Sequence, residues 1–326
     1  MTDHVRIGVL GAARIVPAAL VRPGRSATAV EVSAVAARDA GRARKFADRF
    51  GIARVHGSYE ELLDDPNVDA VYIPLPNGLH GKWTLAALAA GKHVLCEKPL
   101  AANADEAAEV AAAARKSGLV VMEAFHYRYH PLALRLPEVV AELGELRHVE
   151  ARLCFPLPRF KDIRYSMELA GGAMMDAGSY AVNLVRLLGG EPEVRSARAL
   201  VKEPGVDRAM RAELKFPEGH TGTVVASLWS RSLLRLSAKV LGANGSMQVL
   251  NPFAPQFGHR LAVKLNGHRR VERFERRPSY EYQLAAFADA VLHGKPFPTT
   301  ADDAVATMRV VDDTYRAAGL PMRRPS

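Results

Sequence analysis

Apolar positions fall into two regimes along the chain. Through the first 125 residues, short and nearly unbroken apolar runs alternate with longer stretches of helical periodicity. The runs are VRIGVL (5–10), VEVSAVAA (30–37), DAVYIPLP (69–76), HVLC (93–96) and LVVMEAF (119–125). A strand without polar alternation is buried on both faces, as in a parallel sheet covered by helices. The intervening stretches carry helix signals. RIVPAALV (14–21) tolerates Pro17 in its first turn. DAGRARKFADRFG (39–51) has Asp39 as N-cap and Gly51 as stop, and SYEE (58–61) is a capping box. GLHGKWTLAALAAG (78–91) closes on Gly91, and Asn103 caps ADEAAEVAAAARKSG (104–118). This is the doubly wound α/β pattern, whose ligands bind beyond the carboxyl ends of the strands.

After Phe125 the rhythm changes. A helical stretch, PLALRLPEVVAEL (131–143), leads into the strand LRHVEARLCF (146–155), then a loop and a helix around 174–188. Strands then follow one another: VRSARALV, RAMRAELKF, TGTVVASLW, LRLSAKVLG, SMQVL, RLAVKL and RRVERFE. Turn signals separate them (PEGH, GANGS, LNGH), and Asn266-Gly267 predicts a hairpin. Two helices close the chain, near 280–293 and 301–318. The expectation is a dinucleotide-type domain over 1–125 and an α+β domain with a largely antiparallel open sheet over 126–326.

Bulk properties narrow the class. With 326 residues, 48% hydrophobic and 24% charged, the chain suits two cored domains. Two cysteines without a C-x-x-C spacing build neither a disulfide framework nor a thiolate metal site, so Cys96 and Cys154 are expected to be inert core residues. No apolar run approaches the roughly 20 residues of a membrane span. The opening residues run straight into a strand without a leader, which predicts a cytoplasmic protein. A net charge of +9 admits nucleic acid or an anionic small ligand. The densest basic stretch, HRRVERFERR (268–277), interleaves Glu272 and Glu275 and reads as a solvated sheet face. No helix-turn-helix or zinc-finger spacing is present, so no nucleic-acid partner is expected.

The first strand runs into GVLGAARIVP. Against the dinucleotide fingerprint G-x-G-x-x-G the match is degenerate: Gly11 fills the first position, but Ala13 and Val16 stand in place of the second and third glycines. Small residues let the backbone approach a pyrophosphate at a helix N-terminus; an ordinary tight turn is the bland alternative. At the carboxyl end of the second strand stands Arg38, followed by Asp39, while Glu31 lies at the wrong end of that strand. Arginine's fork suits a 2′-phosphate, which favours NADP over NAD, though a solvated strand-end arginine would look the same.

Glu97-Lys98-Pro99 ends the strand HVLC, where a nicotinamide would sit. A lysine there can donate to a reacting hydroxyl and stabilise developing negative charge; a surface Glu97–Lys98 ion pair is the alternative. In AGGAMMDAGSYAVNLVRLLGG (170–190), Asp176 and Tyr180 are four apart and share one helix face. Lysine, aspartate and tyrosine beside a nicotinamide would form a proton relay. Alone, the helix could be a core element with Asp176 near its start as a cap.

These segments, with YIPLPNGLHGKW (72–83), GKHVLCEKPLA (91–101) and EAFHYRYHP (123–131), resemble the glucose–fructose oxidoreductase/inositol dehydrogenase (Gfo/Idh/MocA) family across nearly the whole chain. The resemblance implies a Rossmann domain, a second domain whose open sheet makes subunit contacts in a homodimer or homotetramer, and Lys98, Asp176 and Tyr180 as the catalytic set. A tyrosine at position 180 is similar to dihydrodiol dehydrogenases and NADP-dependent aldose 1-dehydrogenases. It implies cofactor contacts from Gly11, Ala13, Arg14, Ile15, Arg38, Glu97 and Lys98, with Pro76, Asn77 and His80 lining the cofactor; His80 could instead cap its helix. Arg128 and Arg164 match positions near the substrate, and either could be a structural ion pair. His126 and His130 read as structural, without metal spacing, and Trp83 suits core or ligand equally. The implied activity is hydride transfer between a sugar, polyol or diol and NADP, NAD being the alternative. Rival readings are a trans-dihydrodiol dehydrogenase or ketose reductase, or, in another class, a non-catalytic NADP-sensing regulator.

Overall fold

The structure, a computed structural model, describes residues 4–27, 29–202 and 205–326. Residues 1–3, the start of the stretch on which the expectation of no leader rests, lie outside the described residues. The chain forms two compact units: residues Met1–Ala101, Asp105–His126 and Tyr280–Val305, and residues Ala102–Ala104, Tyr127–Ser279 and Ala306–Ser326.

In the first unit, β1 (Val5–Leu10), β2 (Val30–Ala36), β3 (Arg54–His56), β4 (Ala70–Ile73), β5 (His93–Cys96) and β6 (Val121–Glu123) form one sheet in the order β3-β2-β1-β4-β5-β6. Every pairing is parallel. Ile7, Val9, Val71, Ile73, Val94 and Cys96 are fully buried, as unbroken apolar runs require. The helices are α1 (Arg22–Ser26), preceded by a π turn at Pro17–Val21, then α2 (Ala40–Phe50), α3 (Tyr59–Leu63), α4 (His80–Ala89) and α5 (Ala104–Ser117). The local signals act as their chemistry dictates. Asp39 accepts from the Arg42 N–H at 2.7 Å, Ser58 from the Glu61 N–H at 3.0 Å, and Gly51 ends α2 with φ 72°. This is the Rossmann arrangement.

In the second unit, α6 (Pro131–Glu142) precedes an eight-stranded sheet. It comprises β7 (Leu146–Cys154), β8 (Glu193–Lys202), β9 (Val206–Lys215), β10 (Thr221–Ser227), β11 (Arg235–Gly242), β12 (Gly245–Leu250), β13 (Arg260–Leu265) and β14 (His268–Glu272). The order is β14-β13-β12-β11-β7-β10-β9-β8, and the β7–β10 pair alone is parallel. A π turn at Met174–Gly178 runs into α7 (Ser179–Gly189), which packs its apolar side on β7 and β10. Val149, Ala151, Val224 and Ala226 face that core. The opposite face carries ion pairs such as Glu150–Arg152 and Arg211–Glu213. The basic stretch at 268–272 is the edge strand β14, where Glu272 accepts from Arg135 and Arg270. Asn266 (φ 49°) and Gly267 (φ 84°) form the two-residue hairpin between β13 and β14. Of the closing helices, α8 (Ser279–His293) belongs from Tyr280 onward to the first unit, and α9 (Ala301–Ala317) passes from the first unit to the second after Val305.

Candidate active site

The loop after β1 is built for close approach. Gly11 has φ +112°, and a Cβ there would lie 3.0 Å from the Leu75 side chain and 3.6 Å from the Tyr59 hydroxyl. A side chain would thus fill the cradle between β1 and the loop after β4, and glycine leaves it open. Ala13 is half-buried with its N–H on the Gly11 carbonyl at 2.9 Å, Arg14 is exposed, Ile15 is half-buried, and Val16 is core. Beside the loop, Arg38 is exposed at the end of β2. Arg42, one turn into α2, donates from its guanidinium to the Ala12 carbonyl at 2.7 Å. Burial pushes the Tyr59 phenol up in pKa, and the nearby charges of Arg38 and Arg42 oppose it. Arg42 had no local signal as a ligand-site residue, except that it lies four positions beyond Arg38. Asp39 caps α2, and Glu31 lies out on the surface against His4 at 3.1 Å.

The loops after β4 and β5 are fastened together. Pro76 and Asn77 are half-buried, and Asn77 opens a short 3-10 turn. His80 is buried at the start of α4, its ring nitrogens each 2.7 Å from a carbonyl oxygen, of Pro99 and of Leu75. No side-chain cap bond is made at that helix start; His80 instead ties the two loops. Burial lowers its pKa to about 4, the Lys98 charge acting in the same direction. Glu97 accepts from the Tyr72 hydroxyl at 2.6 Å, its N–H donates to the Ile73 carbonyl, and the Lys98–Pro99 peptide is cis. Lys98 is half-buried at this strand exit. Trp83 packs edge-on against Tyr59 at 4.8 Å. Cys96 is buried, and desolvation holds its thiol well above the ordinary value, so it is inert core.

The second unit carries Asp176 in the π turn and Tyr180 in the first turn of α7. π turns are rare insertions that recur at functional sites. Arg164 donates from Nε to Asp176 Oδ2 at 2.9 Å, and the Asp176 charge is the leading reason its guanidinium pKa is raised. Tyr180 sits in an aromatic triangle with Tyr127 (5.9 Å) and Phe253 (5.7 Å). One turn on, Asn183 accepts from the Tyr127 hydroxyl at 2.7 Å and from Arg128 at 3.2 Å. Asn183 thus joins Arg128 to Tyr127, whose ring lies beside that of Tyr180. His130 caps α6, accepting from the Leu132 N–H, and in the first unit the rings of His126 and Tyr280 pack at a tilt of 34° with centroids 4.0 Å apart.

A parallel sheet with a glycine cradle at its first crossover is the framework of a dinucleotide-binding domain, and the second unit carries Asp176 and Tyr180 where a π turn enters α7. Residues 5–125 match the Gfo/Idh/MocA oxidoreductase family, NAD-binding Rossmann fold, and residues 136–248 match its C-terminal domain. The chain belongs to this family. It is 40% identical over 316 residues to a D-xylose 1-dehydrogenase (NADP⁺) of Haloferax volcanii, covering 95% of this chain and 96% of that one. It is 40% identical over 232 residues to the trans-1,2-dihydrobenzene-1,2-diol dehydrogenase of Mus musculus, covering 69% and 68%. A 3-ketoreductase from Actinomadura kijaniata, crystallised with NADP and TDP-benzene, superposes with TM-score 0.89 at 29% identity over 97% of this chain and 98% of that one. Both the dihydrodiol and the NADP-dependent aldose dehydrogenases of the resemblance are among these relatives.

Proposed function

We propose that this protein is an NADP-dependent oxidoreductase that transfers hydride between a sugar or polyol hydroxyl, or the corresponding carbonyl, and the nicotinamide. The observation that supports the reading is the π turn that runs into α7: it carries Asp176, with Arg164 bound to the carboxylate, and Tyr180 follows in the first turn of the helix. The Gly11 cradle, which a Cβ would fill, fits the pyrophosphate. Arg38 after β2 and Arg42 in α2 suit a 2′-phosphate, since the acidic residue between them, Asp39, is engaged as a helix cap. Arg14, Ile15, Pro76, Asn77 and Glu97 complete the cofactor's surroundings. The Haloferax dehydrogenase and the Actinomadura reductase, both named with NADP, support the cofactor, and the former's D-xylose suggests an aldose. Variants of that reductase with one lysine or one tyrosine replaced have also been crystallised with NADP, which puts these two residue types at issue there.

When bound, the nicotinamide supplies the hydride acceptor or donor. The protein's own work is proton transfer and orientation. Tyr180 takes the proton of the reacting hydroxyl and returns it in the reverse direction. Lys98 stabilises the negative charge that develops on the tyrosine or substrate oxygen. Asp176, held by Arg164, orients the substrate or the phenol, and Arg128 and Arg164 offer donors to further hydroxyls. The test follows NADPH absorbance with NADP⁺ or NAD⁺ and a panel of D-xylose, D-glucose, myo-inositol and trans-dihydrobenzenediol. Turnover of D-xylose with NADP⁺, reduced about 10²–10⁴-fold by Tyr180→Phe, is expected. A Tyr180→Phe enzyme at nearly full rate would remove the tyrosine from the chemistry. Tight NADPH binding without turnover on any substrate or carbonyl would favour the sensor.

A further inference from the structure

The segment that launches the Asp176–Tyr180 helix has an unusual backbone. Ala170, buried and not glycine, has φ 54°, and Gly172 has φ 139°. A Cβ on Gly171 would lie 2.7 Å from the carbonyl oxygens of Arg164 and Ser166, and one on Gly172 would lie 2.1 Å from Asp207 Oδ1. The chain therefore threads between a loop and a buried carboxylate where only glycine fits. Backbone in such regions persists only where its surroundings over-determine it.

What surrounds it comes from the far end of the sequence. Arg323, in the segment after α9, is 1% exposed, and Asp207 and Tyr315 are fully buried. The Arg323 guanidinium donates from Nε to the Gly171 carbonyl at 2.6 Å, from Nη2 to Asp207 Oδ1 at 2.7 Å and from Nη1 to the Pro321 carbonyl at 2.9 Å. Its face lies 4.2 Å from the Tyr315 ring, whose hydroxyl also donates to Asp207 Oδ1. The other carboxylate oxygen, Asp207 Oδ2, accepts the Met174 N–H at 2.7 Å. The Arg323–Asp207 pair thus grips both ends of the span from the Gly171 carbonyl to the Met174 amide.

Asp176 begins two residues further on, and its N–H donates to the Gly172 carbonyl at 3.0 Å. Gly172 in turn donates to the Arg164 carbonyl at 2.8 Å, and Arg164 holds the Asp176 carboxylate. Both partners of the Arg164–Asp176 pair therefore hang on Gly172, and a shift of that residue moves both. We propose that Arg323, acting with Asp207, is a positioning residue that sets the Asp176–Tyr180 face for catalysis. The proposal rests on the roles given to Asp176 and Tyr180 above. Buried ion pairs contribute little net stability compared with apolar replacements, which leaves directional pinning as the use of this one. A guanidinium can serve three directions at once, and a lysine ammonium lacks that fixed fork.

Two measurements on the full chain test this. With NADP⁺ and D-xylose, Arg323→Lys and Arg323→Ala should lower kcat about 10- to 100-fold, since a small misplacement costs about that much. NADP⁺ affinity should stay unchanged, and sub-denaturing guanidinium should restore part of the Arg323→Ala rate. The second measurement needs no substrate: amide exchange of residues 172–178 should accelerate in Arg323→Lys, with the second half of α7 unaffected. If both variants keep kcat within twofold of wild type while Tyr180→Phe is inactive, the positioning role is wrong and the proposed chemistry stands. Unchanged exchange at 172–178 would equally overturn it. If Tyr180→Phe itself turns over at the wild-type rate, the proposed chemistry fails and the positioning role falls with it.

Discussion

At His80 two carbonyl oxygens, each 2.7 Å from a ring nitrogen, would favour a doubly protonated ring, but burial and the Lys98 charge oppose it and prevail. In the unfolded chain this ring titrates near 6.5; in the fold it takes a proton only at about 4. The unfolded state therefore holds more protons between those values. The stabilising contribution is complete above pH 6.5 and is lost as pH falls towards 4, by about 3 kcal/mol. Urea unfolding at both ends of that window should show His80→Gln with a shallower pH dependence than wild type. A variant that keeps the full slope would assign the titration to other histidines, such as the half-buried His93 or the buried His130, whose values burial also lowers. The arginines behind β2 give a second residue-scale expectation. Removing one charge-assisted phosphate contact costs about tenfold or more in affinity. Arg38→Ala and Arg42→Ala should each weaken NADP⁺ by that factor in an equilibrium titration and leave NAD⁺ nearly unchanged; equal losses for both nucleotides would reassign the pair to the pyrophosphate.

Elements respond to substitution according to whether their special positions are open or packed. Gly267 and Gly172 both have positive φ, but a Cβ at Gly267 meets nothing within 4 Å, whereas one at Gly172 strikes Asp207. Gly267→Ala should therefore cost only the left-handed penalty, about 1 kcal/mol. Gly172→Ala must displace a buried carboxylate from its partners and should cost at least about 3 kcal/mol. Denaturant midpoints of the two variants check this, and equal losses would contradict it. The same contrast explains what could be read from the chain. Asp39, Ser58, Gly51 and Asn266-Gly267 act within a few residues of themselves, so their sequence context is enough. The strand runs were legible because burial on two faces leaves no polar alternation. Arg42 reaching Ala12 spans 30 positions, and Arg323 reaching Asp207 spans 116. No local pattern encodes such contacts. The π turn was hidden as well, because one extra residue per turn leaves the apolar spacing of 174–188 looking helical. On the candidate site, Asp176 and Tyr180 are marked by their spacing, whereas the rings of Tyr127 and Phe253 beside Tyr180, and Asn183 bonded to Tyr127, come together only through the fold.

For the molecule as a whole, the residues proposed for the cofactor lie in the first unit and the acid–base pair in the second, while the chain returns to the first unit for Tyr280–Val305. Binding and chemistry should therefore separate under substitution. A ligand that binds only the folded protein stabilises it by an amount set by its concentration over Kd, about 2.7 kcal/mol at 100 times Kd. At that NADP⁺ concentration, wild type, Tyr180→Phe and Asp176→Asn should all gain this increment, because both substitutions lie in the second unit. Arg42→Ala, with affinity lowered about tenfold, should gain only about 1.4 kcal/mol at the same concentration. The net charge of +9 attracts a polyanionic nucleotide before contact, so all four increments should shrink as salt screens it. Urea unfolding with and without NADP⁺ measures each increment. Loss of the increment in Tyr180→Phe would mean that the second unit contributes to holding the nucleotide, and the assignment of the cofactor to first-unit residues alone would have to be given up.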